Sequence, residues 1–253
     1  MSNPNPYSAP NADLTVPYEK GEFELHAPRT VNASQGVQWL VDGFNYFKQG
    51  AGIWIAITII GILLMVGLSI LPVINFVVSL TTYLWVGGLM LGCKALHDRE
   101  PLKISHLFAG FSEELGPLLL LGVVLMAATF VLVIVAVVAV MVLTPLLSLS
   151  TGGLDLLLIP LISLVILALY TPIIMAAWFS PALIVLHKVP LFEAMSMSFK
   201  GCWRNMVPFL LYGLVLMVLA VLAIFTLGLG FLVLIPVIYA SIFCSYKDIF
   251  VDE

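Results

Sequence analysis

Charged side chains are the scarcest class in this 253-residue chain, 9% of it against 62% hydrophobic residues. A soluble domain carries about a quarter. The polar residues are too few to cover a globule in water, so lipid must solvate most of the surface. Basic residues are short too: ten Lys and Arg, with no block among them. That excludes a phosphate-tracking surface for nucleic acid. Cysteine is limited to Cys93, Cys202 and Cys244. An odd count without a CxxC spacing fits neither a disulfide framework nor a zinc site, and free thiols in a reducing compartment are expected. A signal peptide's basic start and apolar core are also missing. In their place, "MSNPNPYSAPNADLTVPYEKGEFELHAPRT" is rich in Pro, Asn and acidic residues, the composition of a disordered cytosolic tail over residues 1–30.

What is abundant is apolar sequence in long runs. Residues 53–71, 73–95, 118–143, 156–178, 207–227 and 231–246 are each long enough, or nearly so, to cross a hydrocarbon core of about 30 Å. The expectation is an all-α polytopic membrane protein: one domain, residues 31–253, with six transmembrane helices. The fourth run carries Pro160, Pro172 and Pro181. It is either a kinked helix, with residues 182–186 extending into the cytoplasmic interface, or a broken helix lining a cavity. All ten Lys and Arg fall on one side of these spans; the other side offers "LPV", "TPLLSLSTGGLD" and "TLGLG", with Asp155 its one charge. The positive-inside rule then places both termini in the cytoplasm of a bacterial inner membrane.

Each pair of spans follows a half-polar segment of helical period. Val37, Leu40, Val41, Phe44 and Phe47 share one face; so do Ile104, Leu107, Phe108, Phe111 and Leu115; so do Leu191, Met195, Phe199 and Cys202, joined by Phe192 and Trp203. Such helices lie in the headgroup layer, apolar face down. The chain therefore reads as three repeats, residues 34–96, 101–186 and 190–249, each an interfacial amphipathic helix followed by a transmembrane hairpin. Trp39, Phe44, Phe47, Phe108, Phe111, Phe199 and Trp203 are the expected membrane-interface anchors. Lys48, Lys103, Lys200 and Arg204 are the expected lipid headgroup contacts, worth about 1 kcal/mol each beside anionic lipid. "ALHDREPLKISHLFAGF" and "VLHKVPLFEAMSMSFKG" share a Leu-His pair followed by Pro-Leu, the strongest internal match.

The succession "GVQWLVDGFNYFKQ", "GGLMLGCKAL" and "LKISHLFAGF" resembles a family of uncharacterised bacterial inner-membrane proteins. "PLFEAMSMSFKGCWRNMVPFLL" is similar to a recurring hairpin of YciC-like proteins and of the membrane domain attached to some glycerophosphodiester phosphodiesterases. The resemblance covers residues 34–247 and implies architecture; it carries over no activity, because the phosphodiesterase domain is absent from the sequence.

Chemistry is hard to find. There is no GxSxG, Walker loop or dinucleotide fingerprint. His97, His106 and His187, with Asp98 or Glu113, lack metal-ligand spacing and read as interfacial side chains. No ionisable residue lies well inside a span, which argues against proton or sodium coupling. Asn75, Thr81 and Thr82, beside Gly87 and Gly88, could line an interhelical polar pocket or mark close packing. The expectation is a non-enzymatic scaffold or accessory subunit without cofactor or metal. Its partners would be the bilayer and another membrane protein or a bound lipid, met through Trp39, Tyr46 and Trp203. The alternative is a passive transporter, channel or lipid-handling protein.

Overall fold

A computed structural model describes residues 23–69, 72–151 and 155–252, with side chains described outside 68–76, 143–159 and 252. The first 22 residues of the expected tail lie outside the described residues. The chain is mostly helical: β1 (Glu24–Leu25), α1 (Gln35–Gln49), α2 (Ala51–Ser69), α3 (Pro72–His97), a 3-10 turn (Ile104–Phe108), α4 (Gly110–Glu113), α5 (Leu115–Thr151), α6 (Asp155–Trp178), α7 (Ser180–His187), α8 (Leu191–Arg204), α9 (Met206–Phe225), α10 (Phe231–Phe250) and β2 (Val251–Asp252).

Among the described residues, five stretches are long and apolar enough to cross a membrane: Val77–His97, Leu115–Val142, Pro160–His187, Met206–Phe225 and Phe231–Phe250. The bent pair α1 and α2, meeting at 99°, makes a sixth if counted as one span. The fourth span is continuous through its first two prolines and is interrupted at Phe179, just before the third. Pro160 and Pro172 lie inside α6, and Pro181 opens α7, where its missing N–H costs no helical bond. At 37 residues, α5 is about 55 Å long and exceeds the hydrocarbon thickness.

Among the described residues, the helices are packed most closely at one end. The basic end holds the largest buried side chains, among them Trp39, Phe179, Phe243, Tyr246 and Phe250. There α1 crosses α9 and α10, α7 packs on α3, and α8 packs on α6. Towards the opposite end α5 and α6 keep each other as neighbours but expose Phe130, Met141, Leu161 and Leu164.

Two expectations change, and a third gains a protein contact. The helix before the first pair of spans is docked on protein: a Cβ on Gly36 would strike the Pro208 carbonyl, and one on Gly43 the Val237 carbonyl. Only glycine lets the backbones approach so closely. The segment before the second pair is not one amphipathic helix but a five-residue 3-10 turn and the four-residue α4. It wraps against α3 with Gly110 on the Leu84 carbonyl. Residues 23–30, expected to belong to the disordered tail, instead form with Val31 an ordered strap. β1 pairs antiparallel with β2, Glu24 opposite Asp252 and Leu25 opposite Val251. Beyond it, His26 N–H donates to the Phe250 carbonyl and Arg29 N–H to the Ile249 carbonyl, at 2.9 and 3.0 Å.

Candidate functional site: a cavity among the spans and a cluster at the basic end

Interfacial anchoring divides the expected aromatics into two groups. Trp39 and Phe47 are buried. The Trp39 indole N–H donates to Asp248 Oδ2 at 2.7 Å, and its ring packs 5.2 Å from Phe209. An indole whose donor is satisfied inside the protein has nothing left for a headgroup. Phe44, Phe108 and Trp203 are exposed; Phe111 and Phe199 are half-buried. Phe108 and Phe111 meet Trp85 edge-on at 5.3 and 5.1 Å, and Phe199 stacks on Trp203 at 6.0 Å. Lys48 lies 5.3 Å above the Phe44 ring. Lys103, Lys200 and Arg204 are exposed as well, but Arg204 Nη1 donates to the Pro28 carbonyl of the strap at 2.5 Å.

The polar pocket expected on α3 is not assembled from its threonines. Thr81 and Thr82 donate to Val77 and Val78 carbonyls of their own helix, both at 3.0 Å, as hydroxyls in apolar helices commonly do. The Asn75 side chain lies outside the described residues. A different cavity, of about 770 Å³, opens between α3, α5, α6 and α10, with Tyr83, Thr129, Tyr170 and Tyr239 in its wall. A smaller one, about 260 Å³, lies between α2, α3 and α10 and is lined by Trp54, Trp85 and Pro236. Neither has a charged residue in its lining.

At the basic end His97 and His187 converge on Phe23, the first residue of the strap. Phe23 stacks on His187 at 5.4 Å with 5° between the planes and lies 5.6 Å from His97. Lys94 covers Phe23 at 4.6 Å while pairing with Asp98 at 2.6 Å. His97 Nδ1 receives Lys247 Nζ and meets the Tyr46 hydroxyl, both at 3.3 Å. Lys188 and Glu114 pair nearby at 3.7 Å. His106 is not part of this group. Its Nδ1 accepts the Lys103 N–H at 3.1 Å, and partial burial, with Lys103 close by, holds its pKa below the ordinary histidine value. Among the described residues no three His, Cys, Asp or Glu gather as a metal would require. All three cysteines are free and buried; burial pushes the Cys202 thiol up to about 12.

The strap and the cavity tyrosines were both missed in the sequence. Tyr83, Tyr170 and Tyr239 sit in apolar runs on three different helices, and no local spacing links them.

Among curated proteins, the chain is 28% identical over 242 residues to a "Probable inner membrane protein" of Burkholderia thailandensis, covering 85% of this chain and 89% of that one. No family model matches, and no solved structure matches. Neither the YciC-like proteins nor the phosphodiesterase membrane domain is tied to the chain by these comparisons. The relative and the five to six apolar helices agree on a protein suited to membrane insertion.

Proposed function

We propose that this is a non-enzymatic integral protein of the bacterial inner membrane that acts as a scaffold or accessory subunit for another membrane protein. In this reading the spans form three hairpins, α2–α3, α5–α6 and α9–α10. Each is led by an interfacial element: α1, the 3-10 turn with α4, or α8. The basic end faces the cytoplasm, since Lys94, Lys188, Arg204 and Lys247 all lie at or beyond helix ends on that side. The observation that carries the partner is the outward half of α5–α6. Phe130, Met141 and Leu164 are 65%, 71% and 63% exposed, so two adjacent apolar helices present large side chains outward. Their surfaces are available to the helices of a neighbour, which would pack by van der Waals contact.

Native mass spectrometry after extraction in mild detergent tests this reading. A retained membrane subunit supports it; a bare chain, together with unchanged membrane complexes after deletion, refutes it. Orientation is tested separately with a membrane-impermeant maleimide. Leu229→Cys should label in intact spheroplasts and Ser196→Cys only after permeabilisation, with the three buried native thiols contributing little. The reverse pattern would invert the topology.

The 770 Å³ cavity favours a second reading, passive lipid handling. Its expected signature is transfer of labelled lipid between vesicles.

A further inference from the structure

We propose that the cavity between α3, α5, α6 and α10 binds an uncharged long-chain lipid through a carbonyl at the level of Tyr83 and Tyr170. The cavity gathers hydroxyls that have no protein partner among the described residues. In a span no water offers hydrogen bonds, and an unmet polar group is costly. Most threonines of these helices solve this locally: Thr58 donates to Trp54, Thr81 to Val77, Thr82 to Val78 and Thr171 to Leu167, at 2.9, 3.0, 3.0 and 2.8 Å. Thr129, Tyr83, Tyr170 and Tyr239 do not. None makes a hydrogen bond to a described residue, and all four line the same cavity. A tyrosine hydroxyl stands too far from its own backbone to close such a bond, so its partner must come from elsewhere.

Depth and charge define that partner. Tyr83 lies about 16 Å from the nearer end of α3, well below the level of phospholipid headgroups. The cavity lining contains no Asp, Glu, Lys, Arg or His, so a charged headgroup would find no counter-ion there. The remaining wall is apolar, with Leu125, Met126 and Ile173 among its members, and suits a hydrocarbon chain. The volume falls within the usual range of small-molecule sites, about 300–1,000 Å³. A carbonyl can accept from two hydroxyls at once. It could belong to a glycerol ester or to a prenyl quinone.

This inference deepens the lipid-handling reading and is independent of the scaffold. To test it, the full chain is placed in phosphatidylcholine nanodiscs containing photoactivatable diacylglycerol, photoactivatable ubiquinone or, as a bulk control, photoactivatable phosphatidylcholine. One of the first two should label peptides bearing Tyr83, Thr129 or Tyr170 well above the control, and which one does so names the source of the carbonyl. Tyr83→Phe with Tyr170→Phe keeps both rings and should lower that labelling about fivefold, leaving lipid-facing α9 unaffected. If the double variant fails to fold, Ala177→Leu, which fills the cavity from α6, should do the same. Labelling equal among the three probes, or unchanged in the folded variants, overturns the proposal and leaves water or annular lipid as the occupant. A chain that labels as expected but moves no lipid between vesicles keeps the site and loses the transport reading.

Discussion

Asn205 shows how much one side chain holds in this molecule. It is fully buried. Its Oδ1 accepts the Val31 N–H, and its Nδ2 donates to the Arg29 and Gly201 carbonyls, all at 2.9 Å. Asn205→Ala removes three bonds and leaves backbone groups unmet, so we expect a loss of about 2–4 kcal/mol, read as a lower melting temperature in detergent and faster proteolysis near residue 30. Tyr246 is the opposite case. It is fully buried with its hydroxyl unpartnered among the described residues, so Tyr246→Phe should leave stability unchanged or raise it by about 1 kcal/mol; a clear loss in the same melting assay would mean that the hydroxyl has a partner. His106 adds a pH dependence. Its folded pKa is lowered by burial and by Lys103, with Glu100 opposing. The stability of the neutral ring is therefore intact above the ordinary histidine pKa and is lost as pH falls through the folded value. Protonation also removes the acceptor for the Lys103 N–H. Opening of residues 103–113, read by hydrogen exchange corrected for its intrinsic pH dependence, should increase as pH falls below the ordinary histidine range, and His106→Gln should flatten that dependence.

The elements were legible in proportion to how locally they are determined. The apolar runs gave helices because composition and length alone decide them, and α9 and α10 start within a residue of where hydropathy puts them. α10 continues to Phe250 because Tyr246, Ile249 and Phe250 pack into the basic-end core, a destination that sequence does not announce. Period alone misled over the 3-10 turn. Ile104, Leu107, Phe108 and Phe111 do fall at helical spacing, but Gly110 must lie on the Leu84 carbonyl, and that contact sets the local path. Gly110→Ala should therefore separate the turn from α3 and cost about 3 kcal/mol or more, measured by melting and by loss of protection at Leu107. Trp39 was misplaced for a related reason. A tryptophan on an amphipathic helix has the composition of an interface anchor, and its partner Asp248 lies 209 positions away.

At the level of the whole molecule, the strap joins the two distant parts of the sequence. Removing Glu24–Leu25 and removing Val251–Asp252 delete the two sides of one contact. The losses should be non-additive: the double truncation should melt close to the less stable single one, and full additivity would show that each segment stabilises the bundle separately. None of this was readable beforehand, because a Pro-rich polar stretch looks disordered until the strand it pairs with is known. The candidate site was half legible for the same reason. His97 and His187 were singled out, but the aromatic ring between them comes from the strap.

The pairing of β1 with β2 also sets a clock. A ribosome making about 5–20 residues per second delivers Glu24 early and Val251 only after every span has been translated, an interval of roughly 10–45 seconds. Through that interval the leading segment has no strand to join, and Asn205, its other clamp, arrives late as well. Closing the strap is thus among the last events of biogenesis, and it can be completed only by a chain translated as far as its final strand. A nascent chain stalled within α10 would leave residues 23–31 open to a membrane quality-control protease, so truncated products would be marked at the end that was made first.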